Sequence, residues 1–287
     1  MTNEKRILAC VDQSQYAEHV VEYASWAARR MSAPLELLHI IDRNPMVATG
    51  SDHSGAIGFD AQETLMNELV DQDEARSKDA RERGRIFLNR LREQAIAAGV
   101  KSPDMRLRAG LLEDTLMEQE KNVRLFVLGR RGESAETTQR DLGRNLESVV
   151  RALRKPILTV TASFTEPHRV MIAFDGGIVT RKGVEMVAAS PLFQGLPIHL
   201  VMSGKGGQNA PKQLEWAKTT LDSAGFEVTD AFIPGDAESI IAQYVRDQEI
   251  DMLIMGAYSH SPLRNLFFGS KTSDLLRSAK IPTLLMR

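Results

Sequence analysis

Two segments of this chain follow one pattern. Arg6-Ile-Leu-Ala-Cys-Val-Asp12 and Arg169-Val-Met-Ile-Ala-Phe-Asp175 each run from a basic residue through a short apolar stretch to an acid. A duplicated opening of this kind constrains the fold more than composition does, because each copy must repeat the architecture of the other. A short apolar run closed by a turn signal reads as a strand buried on both faces of a parallel sheet. In the first copy Ala17, Val20, Ala24, Ala27 and Met31 then step by three or four along one helical face. Gly183, Val184, Val187 and Ala188 do so more briefly in the second.

The correspondence continues through both halves. Second apolar runs, Pro34–Ile41 and Leu196–Met202, lead to helical patterns through Ala80, Gly84, Phe87, Leu91, Ala95 and Ala98, and through Leu214, Ala217, Leu221 and Ala224. Gly99 and Gly225 follow where a left-handed helix cap is least costly. Short strands near Met105 and Phe226, a helix each, and the runs Arg124–Gly129 and Asp251–Gly256 come next. A last helix and the strands Lys155–Val160 and Ile281–Met286 close each half, with proline near the strand start as at a free sheet edge. The expectation is an α/β fold of two tandem, doubly wound, five-stranded parallel sheets of Rossmann-like form. The polar stretch Ser163–His168 divides them, giving domains 1–163 and 167–287. An insertion at about 43–74 enlarges the first, and is read as a loop followed by a short helix near Gln62–Val70.

Charge and cysteine usage narrow the class. The 287 residues carry 36 Lys+Arg against 38 Asp+Glu, a formal charge of −2, so no chain-wide basic field favours nucleic acid or anionic lipid. The one cysteine, Cys10, suits a reducing compartment. No apolar run approaches the ~20 residues of a membrane span, and Met1–Arg6 does not open a signal segment. A cytoplasmic protein without membrane or nucleic-acid partners is expected. The charged stretch Ala75–Arg85 interleaves acids with bases and reads as an ion-paired, solvated helix face.

Ligands of open parallel sheets bind outside the carboxyl ends of the strands. There the second half carries Gly256, a loop of about a dozen residues, and then Gly269-Ser270 opening a helix with Lys271 in its first turn. Amide groups and the macrodipole at such a helix start suit phosphate. This spacing resembles the nucleotide motif of the universal stress protein family: glycine, two residues, glycine, nine residues, glycine and Ser/Thr. Ser259 takes the place of the second glycine. Val11-Asp12 and Phe174-Asp175 are similar to the family's first-strand acid, and His39 and His199 to a histidine often seen in its second strand. In the first half Gly129 and Gly132 match, but Gly143 falls one residue late and Arg144 follows it, so that half is expected to keep the fold without the nucleotide.

The resemblance implies a tandem with the adenine nucleotide alpha hydrolase-like fold, pseudo-dimeric through its last strands, Pro156–Val160 against Pro282–Met286. A further homodimer is also anticipated. It implies ATP with Mg2+ as ligand, Asp175 at the nucleoside, and Gly256, Ser259, Gly269 and Ser270 at the phosphates. Arg264 and Lys271 join that set on charge and position alone. Such a module acts as a switch or scaffold of the stress response and at most hydrolyses ATP slowly. Two alternatives stand beside it. One is a slow phosphoryl- or nucleotidyl-transfer enzyme, although the Walker A spacing is absent and no nucleophile–base pair is apparent. The other is a nucleotide-free tandem, structural or holding an apolar molecule near Met46, Ile57, Phe59 and Leu65. Simpler roles are also open: Asp12 and Asp175 as helix caps, and His39 and His199 as satisfied core residues.

Overall fold

A computed structural model describes residues 5–41, 59–130, 144–161, 163–204, 209–257 and 281–287. Ten strands form one sheet in the order β3-β2-β1-β4-β5-β10-β9-β6-β7-β8. In the first half they are β1 (Arg6–Val11), β2 (Leu35–Ile41), β3 (Asp104–Ala109), β4 (Val123–Gly129) and β5 (Ile157–Val160). In the second they are β6 (Val170–Phe174), β7 (Ile198–Gly204), β8 (Val228–Pro234), β9 (Met252–Gly256) and β10 (Thr283–Met286). Every neighbouring pair is parallel except one: β5 and β10 meet antiparallel, with Thr159, Leu158 and Ile157 opposite Thr283, Leu284 and Leu285. The strands that end the two halves therefore pair with each other. Each half is wound alike from there outward, with its first strand, β1 or β6, at the point where strand order reverses.

Helices cover both faces, as the alternation of inward residues along each strand requires. From β1, Ile7, Ala9 and Val11 join one apolar cluster, whereas Leu8 joins the other. The first cluster is closed by α1 (Ala17–Met31), α2 (Phe59–Ala97), α5 (Ile178–Ala189) and α6 (Ala210–Ser223). Helices α3 (Leu112–Gln119), α4 (Arg144–Ala152) and α7 (Ala237–Asp247) close the second. The residues expected on the inner face of α1 are all buried, together with Tyr23 and Trp26. Gly99 and Gly225 take φ of 92° and 86°, the left-handed values their position after a helix calls for. The helix expected between β9 and β10 lies outside the described residues.

Two expectations need correction. The segment read as a loop and a separate short helix near Gln62–Val70 belongs, from Phe59 onward, to a single 39-residue helix, α2. No proline occurs between Phe59 and Ala97 and Gly84 is the one glycine, so nothing in that stretch ends a helix. Within it Arg83 pairs with Asp79 at 2.5 Å and Arg85 with Glu82 at 3.9 Å, which gives the charged stretch its solvated, ion-paired face. The strands that follow Pro156 and Pro282 are central, not free. The two prolines stand just outside the antiparallel ladder, where a missing N–H costs no bond, and their carbonyls accept from Phe126 and Leu253 at 3.0 Å each. The free edges are β3 and β8. Asp104, Arg106 and Arg108 on β3, and Pro234 closing β8, discourage further strand pairing there.

One buried charge stands out. Glu36, on β2, is 2% exposed and faces Arg6 of β1 and Arg106 of β3. Arg106 stands in an ion pair with Glu36, Nε 2.9 Å from Oε1, and donates one hydrogen bond, to Oε2 at 3.2 Å, while its other amino group reaches Gln119 at 3.1 Å. Among the described residues no helix is long and apolar enough to cross a membrane.

Candidate functional site

The carboxyl ends of β6 and β9 lie side by side, since the two strands pair directly. Asp175 follows β6 and is half-buried. Its Oδ1 accepts the Gly177 N–H at 2.8 Å and the Thr180 hydroxyl at 2.5 Å, which pins the carboxylate to the first turn of α5. No partner is found for Oδ2 among the described residues. Oδ1 thus braces the turn ahead of α5 without capping the helix's own amides, and Oδ2 keeps its acceptor capacity among the described residues.

Gly256 ends β9 directly against the same turn. A Cβ there would stand 3.2 Å from Val179 Cγ1 and 3.4 Å from Thr180 Cγ2, tighter than or at the limit of ordinary contact. Glycine eases the close helix–strand approach at this strand end, since a side chain would press on the first turn of α5. Thr180 touches both positions: its hydroxyl holds Asp175 and its methyl faces Gly256. Sequence reasoning did not single out Thr180, although its place five residues after the acid, in the first helical turn, is a usable signal.

Beside this corner, Phe174 stacks on Trp216 of α6 with ring centroids 6.5 Å apart, and the Arg181 guanidinium lies 4.8 Å from the Trp216 centroid. Arg181 Nε also donates to the Gly176 carbonyl at 3.2 Å. The rim of the corner thus carries a cation held over an indole, a pairing assembled from α5 and α6 that no local pattern announces.

Ser259, Arg264, Gly269, Ser270 and Lys271 lie outside the described residues, as do His260, Gly132 and Gly143. The structure therefore brings Asp175 and Gly256 together and describes the base from which the Gly256–Ser270 loop departs. Met46 and Ile57 are likewise outside the described residues, and Phe59 and Leu65 belong to the opening turns of α2.

The corresponding corner of the first half is built differently. Asp12 Oδ1 accepts the Ser14 N–H at 3.2 Å and its hydroxyl at 2.5 Å. After Gly129, Arg130 is buried and turns toward the second half, donating to the Ile281 carbonyl at 2.9 Å and to Thr283 Oγ1 at 3.3 Å. Burial, then the charges of Glu36 and Asp12, push the Cys10 thiol up from its usual range, which favours its protonated form.

Both histidines are core residues with partners. His39 Nδ1 lies 2.9 Å from the Val11 carbonyl and its ring meets Phe87 edge-on. His199 Nδ1 shares a 3.0 Å bond with the Tyr244 hydroxyl, and burial followed by the Arg169 charge lowers its pKa. Among the described residues no group of three or more His, Cys, Asp or Glu is arranged to hold a metal.

Comparison with known proteins now adds to this geometry. The universal stress protein family matches residues 4–161 and 202–287, a span that leaves β6 and Asp175 between its two segments. A universal stress protein of Synechocystis sp. is 34% identical over 286 residues, covering 99% of this chain and all of that protein. A second, of Methanocaldococcus jannaschii, is 26% identical over 86 residues, 30% of this chain and 53% of that one. Among solved structures, a universal stress protein of Archaeoglobus fulgidus superposes with a TM-score of 0.68 at 17% identity, covering 99% of this chain and 98% of that one, an agreement in fold.

Proposed function

Because the chain belongs to the universal stress protein family, we propose that it is an adenine nucleotide-binding module of the stress response, a switch or scaffold and not a fast catalyst. One observation carries this reading. Asp175 presents a carboxylate oxygen that has no partner among the described residues, at the carboxyl margin of β6 and next to the strand end of Gly256, where an α/β sheet takes its ligands. That oxygen can accept from a nucleoside hydroxyl, while the Oδ1 contacts hold the carboxylate in place.

In this proposal ATP lies along the second half. Gly256 begins the phosphate loop, Ser259 takes the place of the motif's second glycine beside the phosphates, and the amides of Gly269 and Ser270 with the Ser270 hydroxyl receive them. Arg264 and Lys271 offset phosphate charge. Bound Mg2+ would draw its oxygens chiefly from the phosphates and water, in keeping with its reluctance to dehydrate fully. The protein supplies orientation and a rigid floor at the Asp175–Thr180–Gly256 corner. Domains 1–163 and 167–287, joined as a pseudo-dimer through β5 and β10, a cytoplasmic location and further pairing into a homodimer belong to the same proposal.

Calorimetry with purified full-length chain tests it. Saturable ATP binding in the presence of Mg2+ is expected, weakened by Asp175→Ala, Gly269→Val or Ser270→Ala and unchanged by Gly143→Val. Loss of binding with Gly143→Val alone would move the site to the first half. Steady turnover above about 1 per second would favour the enzyme alternative.

A further inference from the structure

A sizeable cavity among the described residues lies away from the carboxyl ends of the strands. It has a volume of about 650 Å³ and lies where the C-terminal ends of α1 and α5 converge over β4, β5 and β10, so both halves of the chain wall it. From these residues we infer a binding site for a small amphipathic anion, an apolar body carrying one carboxylate or phosphate head.

The lining has two chemical parts. Met31 and Met186 stand as walls over a close-packed apolar floor of Leu125, Leu284 and Phe193. Methionine pairs adapt to ligands of varied outline, which suits a site that selects for apolar bulk more than for shape. Against these stand three cations, Lys5, Arg124 and Lys155, with no Asp or Glu in the lining. No carboxylate pairs with these three side chains among the described residues. Glu120, the acid bound nearby, is occupied with the backbone N–H groups of Arg154 and Lys155 and lies outside the cavity.

The volume falls within the roughly 300–1,000 Å³ of pockets that enclose small molecules, which are apolar with a few placed polar groups. Two helix C-termini border the space, and their partial negative charge opposes an anion. That opposition is reduced because Ser32 and Ala33 donate to the last carbonyls of α1, and Ser190 does so for α5. Three full positive charges then set the sign of the site.

The wall is also built to persist. Arg30 of α1 reaches across to the turn after α5, donating from Nε to the Leu192 carbonyl at 2.6 Å and from an amino group to the Gln194 carbonyl. This brace ties the first half to the second at the cavity rim. The site therefore exists only in the joined chain; neither half alone encloses it.

Decanoate is the probe, titrated calorimetrically into full-length chain below its micelle concentration, with decanol and acetate as comparators. Saturable decanoate binding is expected, at least tenfold tighter than either comparator. The double variant Arg124→Gln/Lys155→Gln is expected to weaken it at least tenfold. Ala189→Trp, placed at the exposed mouth, is expected to abolish it while leaving the thermal midpoint and far-ultraviolet spectrum as in the wild type. Absence of saturable decanoate binding, equal affinity for decanol, or binding untouched by both variants would overturn the inference.

Discussion

Replacing Glu36 with glutamine keeps the shape of the side chain and removes its charge, leaving Arg6 and Arg106 facing one neutral amide. A bond from a charged donor to a charged acceptor contributes about 1.5–3 kcal/mol net. The Arg6 and Arg106 side chains are 23% and 33% exposed, so each guanidinium regains some hydration when the carboxylate is lost. The lower end of the range therefore applies to each arginine, and the loss is about 3 kcal/mol. At roughly 2–3 °C per kcal/mol for a chain of this length, the thermal midpoint falls by about 6–9 °C. Differential scanning calorimetry reads the shift, and a double-mutant cycle with Arg106→Leu isolates the pair. Glu36→Leu/Arg106→Leu is expected to be less destabilising than the two single changes taken together, because it leaves fewer unpaired charges in an apolar setting. The deficit should persist in about 1 M salt, since a carboxylate 2% exposed is poorly screened. A midpoint change under about 1 °C for Glu36→Gln, or additivity in the cycle, would refute this account of the cluster.

Other predictions concern packing within the second half, the junction between the halves and a buried histidine. A Cβ on Gly183 would lie 2.2 Å from Met286 Cε, so Gly183→Val should cost about 2 kcal/mol in chemical denaturation and be partly rescued by Met286→Ala. Arg130→Met removes bonds to Ile281 and Thr283 across the junction, and should weaken association of separately produced halves about tenfold by analytical ultracentrifugation. Burial depresses the pKa of His199 below its unfolded value of about 6.5, so the folded state favours the neutral ring. The stability it confers is complete above that unfolded pKa and is lost as pH falls through the folded one. His199→Phe should flatten this dependence in urea titrations run between about pH 7 and 5.

Much of the scaffold was legible because parallel strands buried on both faces leave continuous apolar runs, and because caps and turns mark their ends. Asp12 and Asp175, Gly99 and Gly225, and the inner face of α1 all stood where local rules put them. The length of α2 was missed because the polar, glycine-containing segment ahead of Phe59 resembled the start of a longer loop. Glu36 was hidden in an apolar run, since its partners come from strands on either side and not from its neighbours in sequence. Thr180 and Trp216 gain their place at the candidate corner only when α5 and α6 fold over β6. The cavity could not be read at all, because its cations come from chain segments far apart in sequence and its far wall from the other half.

The antiparallel meeting of β5 and β10 fixes a polarity that no later substitution can alter. Strands β4 and β9 run in opposite directions, so the segments leaving Gly129 and Gly256 depart from opposite rims of the sheet. Occupants of the two rims could never touch or share a face. A shift passing from one rim toward the other would have to cross the junction formed by the four-residue central strands and by the Arg30 and Arg130 side chains that tie the halves together there.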